Sequence, residues 1–187
     1  MSDSDSDVDG WRKRIGKALE DARKRSGLSA VQLSARTREL QVPVHRVAIT
    51  KLESGERDIT VAELLVLAMA LNTAPVGLLC PGPYGKNVAL LPGVETSQFV
   101  AAQWISGLYD HAPPAPGANF YDYRKNLAAL RTARLVDELD ARKKLLLEII
   151  ARLDGSAESK VAATVLTDQL TMIETDIQRY QQDSDDG

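Results

Sequence analysis

Four side chains within six residues, Arg46, Val47, Thr50 and Lys51, have the types and spacing of a set that reads base-pair edges. An arginine fork can donate two parallel bonds to guanine O6 and N7, and a lysine ammonium reaches guanine or a phosphate. The methyl groups of valine and threonine suit the methyl group of thymine. On a helix these four positions share one face if Ile49 and Leu52 turn to the opposite side. A solvated helix face of no special function has much the same composition, so the surrounding elements decide between the two readings.

Those elements lie in the run 28–79. There "LSAVQLSARTREL", "VHRVAITKLESGER" and "ITVAELLVLAMALN" follow one another. Upstream, Ile15, Leu19 and Ala22 recur at helical spacing, with Arg12, Lys13, Arg14, Lys17, Lys24 and Arg25 on other faces. Gly27 stops this first helix, and Ser29 caps a second that runs towards Leu40. Pro43 marks the turn. A third helix begins at Val44 or His45 and ends at Gly55, and Thr60 caps a fourth over 61–71. The segment "NTAPVGLLCPG" reads as a short fifth. A short helix, a turn and a second short helix with a polar outer face form the supersecondary unit that lays side chains in the major groove.

Charge distribution favours that reading. The 187 residues carry a net charge of −3, which taken alone argues against a nucleic-acid partner. Residues 1–10 hold four Asp and no basic residue, however, whereas residues 11–60 hold twelve Lys and Arg against six Asp and Glu. The positive charge therefore sits on the motif. With 44% hydrophobic, 26% charged and only 5% aromatic residues, the chain has the composition of a helical protein able to bury a core. An all-α fold is expected.

The stretch "KLESGERDITVAELLVLAMALN", together with "LEDARKRSGLS", resembles the Xre/Cro-repressor family of helix-turn-helix regulators over residues 11–80. The resemblance implies a five-helix, lambda-repressor-like DNA-binding domain. It carries Arg46, Val47 and Lys51 over as base readers, with Ser54 and Arg57 directed to phosphate. It also implies a buried ion pair between Arg23 and Glu53, tying the first helix to the recognition helix. The connection from Leu33 to Ile49 is longer than that family's usual spacing and resembles variants common in its actinobacterial members. Ala30 stands where the family usually places a phosphate-binding Gln, so Ser29 and Gln32 are the expected substitutes. His45 is open to phosphate contact, base contact, capping or plain exposure.

Six of the eight prolines fall in the segment 81–119: Pro81, Pro83, Pro92, Pro113, Pro114 and Pro116. A connecting segment is expected there, holding a short extended piece in "NVALLPGVETS" and one helix in "QFVAAQWISGLY" with Val100, Trp104 and Leu108 on one face. From 120 to 182 the pattern is helical again. Leu135, Leu139, Arg142, Leu146, Ile149 and Leu153 form one seam, and Ala163, Leu166, Leu170, Ile173, Ile177 and Tyr180 form another. Joined by a tight turn at Gly155, they make an antiparallel helical hairpin. Its leucine and isoleucine seams, with a second apolar face of Leu145, Ile150, Val165 and Met172, are the expected oligomerisation surface. Residues 1–10 and 183–187 are expected to be disordered acidic tails.

Other chemistries find no support. A single cysteine, Cys80, allows no intramolecular disulfide and reads as a small buried apolar side chain rather than a redox sensor. His45 and His111 have no partners at metal-ligand spacing. "PGPYG" lacks the spacing of a phosphate loop, and "SDSDSDVDG" lacks the terminal Glu of a calcium loop. No cofactor, metal or catalytic group is expected, and no apolar run approaches the length of a membrane span. Trp104, Tyr109, Phe120, Tyr121 and Tyr123 are open to binding a small effector or to packing. The reading is a cytoplasmic, homodimeric transcriptional regulator, a repressor of phage-immunity or bacterial type, on a pseudo-palindromic double-stranded operator. The alternative is an antitoxin-like autoregulator whose C-terminal helices hold a partner protein.

Overall fold

The computed structural model describes residues 3–91, 93–109, 111, 117–154 and 156–185. The expected turn at Gly155 and the prolines at 92, 113, 114 and 116 lie outside the described residues. The chain divides into two compact units, 1–118 and 119–187. Helices dominate both, and the described residues contain a single two-stranded sheet.

The first unit begins with α1 (Asp3–Arg25), α2 (Ala30–Glu39), α3 (Arg46–Glu53), α4 (Val61–Ala70) and α5 (Pro75–Leu79). Local chemistry sets their limits. Ser29 and Gln32 form a reciprocal capping box on α2, and Thr60 and Glu63 form another on α4. Gly27 and Gly55 take positive φ at the ends of α1 and α3, where the following amide bonds back to the last turn. Gln41 and Asn72 perform the same task for α2 and α4 at φ 62 and 51, without the freedom of glycine. α1 starts at Asp3, so the acidic tail expected to be unstructured is helical from there.

These helices enclose one core, in which Leu19, Leu33, Ile49, Leu67 and Leu78 are fully buried. Thr37 is buried within it. Its hydroxyl donates to the Ser34 carbonyl at 2.9 Å and accepts the Val44 amide at 3.0 Å, which holds the turn leading into α3.

The segment 81–109 is more than a connection. β1 (Asn87–Leu91) pairs antiparallel with β2 (Val94–Ser97), and α6 (Gln98–Ile105) follows. Val88, Leu90, Val94 and Ala101 form a second core with Cys80, and Trp11 and Trp104 pack against it. Trp11 Nε1 donates to the Leu90 carbonyl at 2.9 Å, while Arg14 stacks 3.8 Å above the same ring. Cys80 is buried, and burial pushes its thiol above the ordinary range, with Arg14 opposing. Leu108, expected on one helix face with Val100 and Trp104, lies past the end of α6 and the turn at Gly107 and is exposed.

The second unit holds α7 (Phe120–Asn126), α8 (Ala128–Ala151) and α9 (Ala157–Asp185). Helix therefore reaches three residues into the expected C-terminal tail, of which 186–187 lie outside the described residues. α8 and α9 pack on each other through Leu146, Leu170, Ile173 and Ile177, flanked by Val136, Leu139, Ile150 and Leu166. The α8 seam differs from expectation. Ile149 is 40% exposed and Ile150 takes its place, Val136 replaces Leu135 in the cluster, and Leu153 is only partly buried outside it. The observed side runs Val136, Leu139, Lys143, Leu146, Ile150, a three-four alternation, where the expected set alternates four-three; the two share Leu139 and Leu146, and packing on α9 selects between them. Lys143, which flanks the seam, pairs with Glu174 at 2.7 Å, and Arg142 is exposed.

Asp154 opens α9. It accepts the Ser159 hydroxyl at 2.6 Å and the Ser156 amide at 3.0 Å, and these bonds hold its carboxyl at about 2. A depressed carboxyl supports the fold above its unfolded pKa and loses that contribution as pH falls through the folded value. A carbon-13 titration should place the Asp154 midpoint near 2. In Ser159→Ala the midpoint should rise towards the ordinary carboxylate range, and an unchanged midpoint would remove this cap from the account of the hairpin.

Candidate nucleic-acid interface

α3 divides cleanly into two faces. Ile49 and Leu52 are buried in the first core, whereas Arg46, Val47, Thr50 and Lys51 are exposed. Val47 stands 58% open, a large apolar side chain facing solvent beside a free guanidinium. The Thr50 hydroxyl donates to the Arg46 carbonyl at 3.1 Å. Its proton is thus committed within the helix, and its methyl group remains for outward contact. His45 occupies the N-cap position with extended backbone, but its side chain makes no capping bond and is exposed.

The helix is held from behind by α1. Arg23 Nε donates to Glu53 Oε1 at 2.7 Å and Nη2 to Oε2 at 2.8 Å, with the two side chains only 14% and 11% exposed. Arg23 Nη1 also donates to the Leu28 carbonyl at 2.9 Å, so one residue fixes α3 and the start of α2 together. The bond to Glu53 raises the arginine pKa, against a smaller opposing effect of burial. Gly16 lies where α1 meets the last turn of α3, and a Cβ built there would stand 2.3 Å from the Leu52 carbonyl oxygen.

Around this helix the polar residues differ in what they have free. Ser29 and Gln32 are exposed, with the Ser29 oxygen and the Gln32 carbonyl oxygen engaged in the α2 capping box. The Gln32 amide nitrogen and the first amides of α2 remain directed outward from a helix N-terminus. Ser54 caps α3 and bonds to the Lys51 carbonyl and to Glu56. Arg57 is placed otherwise than its expected role needs. Its fork is turned onto Glu63, which burial pushes up but Arg57 and the Thr60 cap hold below the ordinary range. Any phosphate at Arg57 competes with that carboxylate.

Sequence reasoning passed over Gly16, Thr37 and Arg12. Arg12 grips Asp58 with two bonds of 2.6 and 2.8 Å and ties α1 to the loop 54–60 that follows α3. A glycine inside an amphipathic helix is itself a signal of close backbone approach. Arg12 and Thr37 carry no comparable mark. Of the aromatic residues open to an effector role, Trp104 packs into the second core of the first unit, while Phe120 and Tyr121 are exposed in the second unit. Among the described residues, no group of three or more His, Cys, Asp or Glu is placed to hold a metal ion. No helix there is long and apolar enough to cross a membrane.

A five-helix domain with a buried-backed, solvent-faced α3 after a tight turn defines a helix-turn-helix DNA-binding module. Residues 19–78 match the family model described as helix-turn-helix, a span from the middle of α1 to the end of α5. This domain belongs to the Xre/Cro-like helix-turn-helix family, and the protein is a DNA-binding transcription regulator. No curated protein and no solved structure matches the chain.

Proposed function

We propose that the chain is a sequence-specific repressor that binds a pseudo-palindromic operator as a homodimer, in the cytoplasm. The observation that carries this reading is the division of α3, with Ile49 and Leu52 buried and Arg46, Val47, Thr50 and Lys51 exposed. Arg46 donates to guanine O6 and N7, Lys51 serves guanine or phosphate, and the Val47 and Thr50 methyls contact thymine. Ser29, Gln32, His45 and Ser54 lie on phosphates, and Arg57 joins them only by leaving Glu63.

A two-fold dimer would set the two α3 helices about 34 to 36 Å apart on one face of the duplex. Leu146, Leu170, Ile173 and Ile177 are used within the hairpin, so the second chain has to meet its outer apolar side chains, Leu145, Val165 and Met172. Those same exposed residues favour the antitoxin-like alternative if they hold a foreign protein instead. A full-length chain that sediments as a monomer with its operator would overturn the homodimer, and only a stoichiometric complex with a foreign protein, lost on Leu145→Lys, would decide for that alternative.

Selection of bound duplexes from a random pool, followed by titration at several salt concentrations, tests the DNA reading. An inverted repeat should be enriched. Arg46→Ala should relax one position and cost about 1 to 3 kcal/mol on the preferred site. Equal binding of every duplex would overturn sequence-specific recognition.

A further inference from the structure

A cavity of about 120 Å³, partly open to solvent, lies in the first unit where α1, the end of α3 and the loop 54–60 meet. Trp11 and Ile15 of α1, Leu52 of α3 and Ile59 of the loop give it apolar walls. Two arginines and a carboxylate complete the lining, and they are unequally supplied with partners. Arg12 and Asp58 satisfy each other through bonds of 2.6 and 2.8 Å. Arg57 has less. Its Nη2 is on Glu63 and its Nη1 makes one long bond of 3.3 Å to the Asp58 carbonyl, while its Nε, shut off from water, has no partner among the described residues. A sheltered donor left unbonded is a place that gains from an incoming oxygen.

We propose that this cavity binds a small monocarboxylic acid with an apolar body of about four to six carbons, and that the bound acid weakens the hold on DNA. The walls set the body. An apolar cavity of about 150 Å³ takes one benzene ring, so a hydrocarbon of that size or slightly smaller fits here and a nucleotide does not. Arg57 sets the head group, because a guanidinium fork matches a carboxylate with two parallel bonds. Sharing the fork costs its present partner little. Glu63 keeps the Thr60 amide and hydroxyl, both at 3.1 Å, when Arg57 turns from it towards the cavity.

The control of DNA binding rests on the reading of Arg57 as a neighbour of phosphate and gives that reading a means of regulation. An acid on Arg57 takes the cation that a phosphate needs and sets a negative charge in the loop that follows α3. Acid and duplex therefore oppose each other, each lowering the other's affinity by the same factor. The site itself needs no DNA, since every wall belongs to the folded first unit.

Magnetic resonance of the full-length chain with labelled isoleucine methyls tests the site in the absence of DNA. Benzoate is the probe and benzamide its neutral counterpart. Benzoate should shift the Ile15 and Ile59 methyls to saturation with a Kd on the order of millimolar, about tenfold tighter than benzamide, and leave Ile173 of the hairpin unmoved. Arg57→Gln should reduce benzoate to the affinity of benzamide. Anisotropy with a mixed-sequence duplex at constant ionic strength reads the coupling, and saturating benzoate should weaken DNA binding about fivefold. Unmoved Ile15 and Ile59, equal binding of benzoate and benzamide, or undiminished benzoate binding by Arg57→Gln would overturn the acid site. Saturation of the site with unchanged DNA affinity would overturn its control of binding while sparing the DNA reading. A chain that binds no duplex in the absence of benzoate would overturn the DNA reading and the control with it, and the methyl shifts tell that failure from a failure of the site.

Discussion

Arg23→Ala is expected to destabilise the first unit by about 3 to 5 kcal/mol, the cost of leaving a buried charge without its partner. The stranded group is Glu53, which is 11% exposed and sits in the last turn of α3, where the helix dipole already disfavours an anion. The Leu28 carbonyl loses its donor in the same step. Arg23→Lys should recover only part of this, because an ammonium cannot make the two parallel bonds of 2.7 and 2.8 Å. A double variant, Arg23→Met with Glu53→Leu, separates stability from orientation. Replacing both ions by apolar groups is often neutral or stabilising, so thermal unfolding should return to near the parent value. Discrimination between the selected operator and a scrambled duplex should still fall, since the paired directional bonds that fix the rotation of α3 against α1 are then gone. If the double variant discriminates as the parent does, the pair has no orienting role.

The parts of this site that were legible in the sequence are those written in local chemistry. Ser29 with Gln32 and Thr60 with Glu63 mark the starts of α2 and α4 by side chains that bond three residues away, and Gly27 and Gly55 mark helix ends by backbone freedom. The face of α3 followed from Ile49 and Leu52 alone. The Arg23 and Glu53 contact spans 30 residues and was accessible only through resemblance to a family. Contacts between residues distant in the chain, with no such guide, leave no mark in the local sequence. The proline content of 81–119 spoke for a connection, but the docking of β1, β2 and α6 depends on Trp11 reaching the Leu90 carbonyl, 79 residues away. Arg57 followed the family role in the sequence, yet the nearest carboxylate in space, Glu63, holds its fork. In α8 the pattern was right in kind and one position out at Ile149, because four-three and three-four alternations share Leu139 and Leu146 and only the distant partner helix α9 selects between them.

Gly16→Ala should act against intrinsic helix preference. In a free helix the change favours folding by roughly 0.5 to 1 kcal/mol. Here the new Cβ would stand 2.3 Å from the Leu52 carbonyl oxygen and 2.8 Å from that of Glu53, and both are backbone atoms that no rotamer change can move. Either α1 and α3 separate or the last turn of α3 deforms, at a net cost of about 1 to 3 kcal/mol as for other overpacked contacts. Gly10 supplies the internal control, since it lies in the same helix with nothing within 4 Å of its added Cβ. Gly10→Ala should therefore hold or raise the unfolding midpoint, and Gly16→Ala should lower it. The functional loss should exceed the loss of stability, because a shift at the end of α3 is carried along the rigid helix to Arg46, which has to place a planar fork on one base edge. Gly16→Ala with a raised midpoint and undiminished operator discrimination would mean that the close backbone contact at Gly16 does not set the position of the recognition helix, and the Arg23–Glu53 pair would then be left as the restraint between α1 and α3.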